Sequence, residues 1–418
     1  MPRVKVASPA STFVPNQRLP VHRWFRYSAG FSGAWAEAVV RAHATGAGLV
    51  LDPFAGVATT LVAAQLAGRP AVGLEAHPFV ARLAEAKLCW TADPGALERA
   101  GAAVLARARR ARANVGPPPA DLLGAAYAPE ALAALSGLAV AIEGETAEGT
   151  PERRLCWLAL AAILRACSSA GTAPWQYVLP RKTKARIAEP AAELAAQLAR
   201  MVADMRALGC DVGVARVFSG DARTCAGVED GAVDLVVTSP PYPNNYDYAD
   251  ATRLEQTFFG EVRGWGDLQA VSRRFLVRAC SQHAAAERLA VAPLVADAAV
   301  APIAGELGEA CAALGVLRRS RAGHKAYDAM IAAYFVDLAR VLAALARVVR
   351  PGGKVCFVVG DSAPYGVHVP ALDWLVRLAE RVGFSLLERR RVRLRNVKWK
   401  NRKHRVPLEE AELWWVRG

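Results

Sequence analysis

The stretch Val233-Asp234-Leu235-Val236-Val237-Thr238-Ser239-Pro240-Pro241-Tyr242 decides how this chain is read. Val233 to Val237 has the composition of a short buried β-strand. Two consecutive prolines at its C-terminal end cannot donate to a sheet ladder, and each fixes its own φ. They make a stiff turn with an aromatic ring at its tip, which suits a flat substrate held in one orientation. An ordinary turn has the same residues, so the surrounding sequence must decide.

Working outward, Gly48 to Leu51 reads as a strand that ends in Asp52-Pro53-Phe54-Ala55-Gly56. Thr59 to Leu66 reads as a helix, Ala71 to Leu74 as a second strand ending at Glu75, and Phe79 to about Leu88 as the next helix. This β-α-β-α pattern predicts a parallel sheet covered by helices. The sheet resumes at Val212 to Phe218, ending at Gly220-Asp221, and again at Val233. Tyr327 to Val349 reads as a long amphipathic helix stopped by Arg350-Pro351-Gly352-Gly353. Lys354 to Val359 is a further strand, Val369 to Val382 a helix, and Ser385 to Val397 with Glu412 to Val416 a hairpin. Before the first strand, 1–47 is an arm rich in Pro, Arg and aromatics, centred on His22-Arg23-Trp24-Phe25-Arg26-Tyr27 and followed by a helix from about Ser32 to His43. The core pattern occupies 48–92, 210–249 and 323–418. Residues 93–209 read as an insertion of four or five helices and 250–322 as a second helical insertion. Within the first, Arg181 to Arg186 is a basic loop that meets phosphate or is a solvated linker.

The chain has 418 residues, 53% hydrophobic and 22% charged, a globular composition. Lys plus Arg number 52 against 38 Asp plus Glu, a net charge of +14, which points to a polyanionic partner such as nucleic acid; solubility is the plainer alternative. The eight cysteines are scattered, with no C-x-x-C pair and no local cluster with the seven histidines. Neither a metal site nor a disulfide framework is expected, and a reducing, cytoplasmic setting is. No signal peptide is read at the N-terminus. The longest apolar stretches, such as Ala131 to Ile142, read as too short to span a bilayer, so no membrane partner is expected.

Asp52, Glu75, Asp221, Ser239 and Asp361 all fall within a residue or two of a predicted strand's C-terminal end. In an open parallel sheet, ligands bind along that edge. Gly56 and Ala58 lack bulk, so a ligand can approach the loop backbone closely. The following helix N-terminus, with Thr59 and Thr60, favours a carboxylate or phosphate. An acid at Glu75 can accept both hydroxyls of a ribose, and Asp221 can accept from an adenine amino group. Each acid taken singly is more often a helix cap or a solvated loop residue. Their joint placement describes a site for a nucleoside-containing ligand.

The Asp52-Pro53-Phe54 loop, Glu75, Asp221 and Ser239-Pro240-Pro241-Tyr242 together resemble the S-adenosylmethionine-dependent amino methyltransferases of nucleic acids. The resemblance covers about 48–90, 212–248 and the final third of the chain, and neither insertion. It implies a Rossmann-like class I methyltransferase sheet, α/β and mostly parallel with an antiparallel C-terminal hairpin strand. It makes 48–92 the cofactor half and 210–249 the catalytic half. It implies S-adenosyl-L-methionine held by Asp52, Pro53, Phe54, Ala55, Gly56, Thr59, Thr60, Glu75 and Asp221, with Asp52 near the methionine part, Glu75 on the ribose and Asp221 on the adenine. It gives Ser239, Pro240, Pro241 and Tyr242 the catalytic part. The exocyclic amine of cytosine is a poor nucleophile because its lone pair is delocalised into the ring. Acceptance of its hydrogens by Ser239 and the Pro240 carbonyl localises that lone pair, while Tyr242 stacks on a flipped-out base. The Ser-Pro-Pro-Tyr form is commonest in enzymes acting on cytosine N4 of DNA; adenine N6 enzymes more often carry Asp or Asn in place of Ser239. RNA guanine N2 methyltransferases share the order of motifs, usually with Asp. A catalytically silent nucleic-acid-binding protein on the same fold is a more distant alternative. One departure stands out: the family loop usually has a second glycine where this chain has Ala58.

Nucleic-acid contacts are expected from two further segments. Asn244, Asn245 and Tyr246 adjoin the turn's tip. The run Arg389 to Arg405 is the densest charge on the chain. As a strand it puts Arg391, Arg393 and Arg395 on one face, with Lys398, Trp399 and Lys400 beyond. Charges that protect an edge strand are the other reading. DNA is the expected partner and RNA a possible one. A restriction endonuclease partner and the oligomeric state stay open.

Overall fold

The computed structural model describes residues 12–44, 48–110, 121–173, 177–209, 212–244, 246–320, 324–395 and 406–418. Its strands are β1 (Leu49–Asp52), β2 (Ala71–Glu75), β3 (Ala170–Thr172), β4 (Val178–Thr183), β5 (Ala215–Ser219), β6 (Val233–Thr238), β7 (Val349–Gly360), β8 (Phe384–Arg395) and β9 (Leu408–Arg417). Seven of them form one sheet in the order β5-β2-β1-β6-β7-β9-β8. The five from β5 to β7 are parallel, and β9 runs antiparallel to both β7 and β8. This is the Rossmann-like class I methyltransferase sheet. Strand order reverses between β1 and β6, so a crevice opens at their carboxyl ends.

β6 shows why the sheet is central. All its residues are buried, as expected of a strand covered on both faces. Val50, Leu235, Val237 and Val358 face one core, shared with helices Gly33–His43, Thr59–Leu66 and Pro78–Leu88. Leu51, Val236, Val355 and Phe357 face the other, shared with helices Tyr327–Val348 and Ala371–Arg381. The alternation of a strand thus assigns neighbouring residues to opposite layers.

Several local expectations are corrected. The insertion after Pro78–Leu88 contains helices Pro94–Arg110, Leu122–Ala126, Pro129–Glu145, Pro151–Cys167 and Pro190–Leu208, but also the separate hairpin β3–β4. Arg181, Lys182 and Thr183 therefore lie on a strand rather than in a loop. β7 starts at Val349, not Lys354: Val349 pairs with Val233, Arg350 to Gly353 bulge outward, and Lys354 pairs with Leu235. Two helical stretches, Ala298–Ser320 and Tyr327–Val348, are long and apolar enough to cross a membrane, contrary to the sequence reading. Tyr327–Val348 spends that apolarity on the sheet, where it is largely buried.

The described part of the N-terminal arm, from Thr12 to Ala44, is docked on the fold. Asp204, on helix Pro190–Leu208 and 2% exposed, accepts from Val21 N (3.2 Å), Arg23 Nε (3.0 Å) and Trp24 Nε1 (2.8 Å). The first insertion thereby fixes the arm against the sheet's cleft edge.

Candidate active site

The cleft opens where β1 and β6 end. Asp52, fully buried, lies beneath its floor. Its Oδ1 accepts from Thr238 Oγ1 at 2.5 Å and from Phe54 N at 3.0 Å, which ties the two strand ends together and turns the chain into the Pro53-Phe54 loop. Burial pushes the Asp52 carboxyl up to about 6, with the Thr238 hydrogen bond the largest force opposing it. Its Oδ2 is buried without a partner. Thr60 is also buried, donating to the Val237 carbonyl at 3.0 Å. The position that departs from the family pattern is strained: Ala58 has φ +65°, in the left-handed region where glycine is at ease.

Glu75 forms the cleft's second wall. Oε2 accepts from Gly56 N at 2.8 Å and Oε1 from His77 N at 2.8 Å, so the carboxylate draws the end of β2 and the loop after β1 together. Burial raises Glu75 to about 7, against those two backbone hydrogen bonds and with a smaller push from Asp52. Gly56 has φ +52°. Ala55 is packed inward at 3% exposure, and Thr59 faces a different cavity.

Asp221 lines the same cleft, but its carboxylate is engaged by Arg223, whose Nε lies 2.9 Å from both oxygens. Arg223 in turn reaches the fully buried Asp337 at 3.5 Å. Ser239 also faces the cleft and donates its hydroxyl hydrogen to the Val358 carbonyl at 2.9 Å, leaving its oxygen lone pairs as acceptors. Pro241 lines the cleft and Pro240 is buried. Tyr242 turns toward β9, where its hydroxyl donates to Glu410 Oε1 at 2.7 Å. Asp361 lies apart, accepting from Leu372 N at 3.2 Å at the start of helix Ala371–Arg381.

The residues expected on nucleic acid are spread more widely. Asn244 stands at φ +59° with its N–H on the Ala279 carbonyl (2.8 Å). Tyr246 is only 4% exposed, stacked on Tyr177 and edge-on to Tyr248, so it is a core residue. The three arginines do not share a face. Arg391 pairs with Ala411 but Arg393 pairs with Glu410, a bulge at Val392 that breaks the two-residue alternation. Arg391 stays exposed, on the same side of the ladder as Ala411. Arg393 and Arg395 fall on the Glu410 side: Arg393 Nε lies 2.6 Å from Glu410 Oε2, and Arg395 sits 5.3 Å over the Tyr242 ring and donates to the Asp361 carbonyl at 3.0 Å. Asn245, Lys398, Trp399 and Lys400 lie outside the described residues. Among the described residues no group of three or more His, Cys, Asp or Glu is arranged to hold a metal, and the seven described cysteines are free.

The sequence reading missed part of the cleft. Tyr27, Ala29, His77, Tyr248 and the segment Phe275 to Val277 complete its walls. His77 is buried, with burial lowering it to about 4, and its Nε2 meets Thr252 Oγ1 at 3.1 Å. The aromatic density of the arm was the one available signal for Tyr27. Nothing local marks Phe275 to Val277.

A family model described as DNA methylase matches residues 10–86, the span that carries the arm, β1, β2 and Glu75. The chain is 23% identical over 417 residues to the Type II methyltransferase M.AvaI of Nostoc sp., covering 90% of this chain and 81% of that protein. It is also 27% identical over 180 residues to the Type II methyltransferase M.BsoBI of Geobacillus stearothermophilus, a match covering 38% of this chain and 32% of that relative's length. Together these matches support the S-adenosylmethionine-dependent amino-methyltransferase family. Among solved structures, the rRNA methyltransferase aviRa from Streptomyces viridochromogenes aligns over 92% of this chain and 85% of its own at 12% identity, with a TM-score of 0.31. Amino methyltransferases of this family take S-adenosylmethionine as methyl donor.

Proposed function

We propose that this amino methyltransferase acts on DNA and methylates an exocyclic amine, cytosine N4 in the first instance. The observation that carries the reading is that Phe54, Gly56, Glu75, Asp221 and Ser239, from four separate strand ends, line one cleft.

The residues present fit the cofactor. Glu75 offers carboxylate oxygens at the cleft wall for ribose hydroxyls, Gly56 lets a ligand approach the loop backbone, and Phe54 supplies an apolar face. Asp221, steadied by Arg223, would accept from the adenine amine with its remaining lone pairs. When bound, the cofactor supplies a sulfonium-activated methyl group.

The target amine needs acceptors. The Ser239 hydroxyl hydrogen is committed to Val358, so its oxygen would accept an amine N–H and draw the nitrogen lone pair out of the ring. The amine nitrogen gains the methyl group and releases one proton. Positioning and electrostatics carry this step without a covalent enzyme intermediate. The base must leave a duplex to reach the cleft. The segments 93–209 and 250–322 are the candidates for target recognition. A restriction endonuclease of matching specificity is a partner this reading allows, and a DNA substrate puts the enzyme in the cytoplasm.

Incubation with methyl-labelled cofactor and DNA or RNA, followed by nucleoside analysis, tests the proposal. N4-methylcytosine supports it in full, and N6-methyladenine moves the target base. Transfer to RNA alone overturns the DNA claim. Cofactor binding without transfer to either supports the catalytically silent reading.

A further inference from the structure

A second cavity lies between the N-terminal arm and helices Thr59–Leu66 and Pro78–Leu88. Its walls include Asn16, His22, Tyr27, Thr59 and Lys87, and no described residue lining it is acidic. Lys87 is the unusual member. It is 1% exposed, among the largest fully buried side chains of the fold, and it makes no hydrogen bond or ion pair among the described residues. A buried ammonium without a counter-charge is costly unless something pairs with it.

One other feature of the cavity has the same sign, and a second leaves a buried polar atom unpaired there. Helix Thr59–Leu66 begins after Ala58 with no side-chain cap, and Thr59 in its opening turn faces the cavity. Its unsatisfied backbone N–H groups and positive dipole end therefore point at the space that Lys87 enters. His22 is 6% exposed and its Nδ1 is buried without a partner. Burial lowers His22 to about 3, with Lys87 adding to the effect, so the imidazole is neutral. Burial alone lowers Lys87 to about 7.

We propose that this cavity binds a small oxyanion, with Lys87 as its cation and the opening turn of helix Thr59–Leu66 as its N–H donors. A bound oxyanion supplies the missing counter-charge. The oxyanion can come from two sources. Tyr27 walls both this cavity and the cleft, so the carboxylate at the amino-acid end of the methyl donor is one; that source rests on the proposed function. Free inorganic phosphate is the other and does not.

Calorimetric titration of the full chain with inorganic phosphate, S-adenosylhomocysteine and 5′-methylthioadenosine tests this, the last probe lacking the amino-acid end. Lys87→Met is expected to weaken phosphate or S-adenosylhomocysteine at least tenfold and to leave methylthioadenosine unchanged; the ligand that weakens names the source. Lys87→Arg, which keeps the charge, is expected to retain more of the affinity than Lys87→Met. Methionine matches the lysine stem without its charge, so Lys87→Met should melt no lower than the wild type. Phosphate binding with no binding of either nucleoside would sink the proposed function and leave the oxyanion site standing. Equal affinities of wild type and Lys87→Met for every probe, no binding of any probe, or equal weakening of all three would overturn the site.

Discussion

The Tyr242 hydroxyl donates a 2.7 Å hydrogen bond to Oε1 of Glu410, and this bond fastens the tip of the Ser239–Tyr242 turn to β9. Glu410 is 1% exposed and its other oxygen takes Arg393 Nε at 2.6 Å. Burial, then the Glu410 charge, holds the Tyr242 phenol well above its ordinary range, so it stays a donor. Tyr242→Phe removes only the phenolic oxygen and should cost about 1 kcal/mol, the net worth of one hydrogen bond. Glu410→Ala leaves the Tyr242 hydroxyl unsatisfied and should cost about 2 kcal/mol. Urea melts of the two single variants and the double variant check this, and the double should cost clearly less than the sum. With the proposed function, KM for DNA rises in both variants while cofactor affinity holds.

Thr238 and Asp52 form the equivalent bond below the cleft. Thr238→Val keeps the shape of the side chain and leaves the fully buried Asp52 carboxylate with the Phe54 N–H but without its hydroxyl donor. It should destabilise the fold by about 1–3 kcal/mol, more than Asp52→Asn, whose amide oxygen can still accept the threonine hydrogen. Chemical denaturation distinguishes them, and equal losses would contradict the argument.

Much of this cleft was legible because of one topological rule. Parallel strands joined by helices bring their carboxyl ends to one edge, so Asp52, Glu75, Asp221 and Ser239 meet although nearly two hundred positions separate the first from the last. The strands themselves were visible as short apolar runs. Tyr27 and Phe275 to Val277 were not, because they reach the cleft through long-range docking, such as that of Val21, Arg23 and Trp24 on Asp204. Arg393 and Arg395 were misassigned for a different reason. A single extra residue in a strand moves every later side chain to the other face, and no pattern around Val392 announces it.

Glu75 should make ligand binding depend on pH. Its folded value of about 7 is above the ordinary carboxylate range. The folded state therefore keeps a proton that the unfolded chain has lost, and the stability from this group is present at acid pH and falls as pH rises toward 7. Ribose hydroxyls donate best to the ionised form, so affinity for 5′-methylthioadenosine, which lacks the amino-acid end proposed for Lys87, should run the other way, improving with pH until it levels above about 7. Calorimetry from pH 5.5 to 8.5 on the wild type and Glu75→Gln checks both signs, with the glutamine variant weaker and flat across the range. A flat wild-type profile would remove Glu75 from the ligand.

Gly73 controls the cofactor-side loop from below. A Cβ there would lie 2.8 Å from Ala55 Cβ and 2.7 Å from Leu61 Cδ1, closer than real contacts allow. Gly73→Ala should cost about 1–3 kcal/mol through overpacking and should push Ala55 and its neighbour Gly56 out of place. The melting temperature and S-adenosylhomocysteine affinity should fall together, whereas Gly137→Ala, with no atom within 4 Å of its new methyl, should change neither for the worse.

The bulge at Val392 makes Arg391 and Arg393 unequal toward nucleic acid. Arg391 is exposed, and no described acid holds it in an ion pair. Arg393 is bound to a buried carboxylate that also positions Tyr242. Each phosphate neutralised contributes close to one unit to the slope of log affinity against log salt. Arg391→Ala should therefore flatten that slope by about 1 while leaving the melting temperature unchanged. Arg393→Ala should leave the slope nearly intact and lower the melting temperature, because Glu410 then loses its ion partner. Filter binding of a DNA duplex between low and moderate salt, run beside thermal melts, reads both quantities. A salt slope that falls equally in the two variants would mean that Arg393 leaves Glu410 for phosphate when DNA arrives, and the Tyr242–Glu410 bond would then change with it.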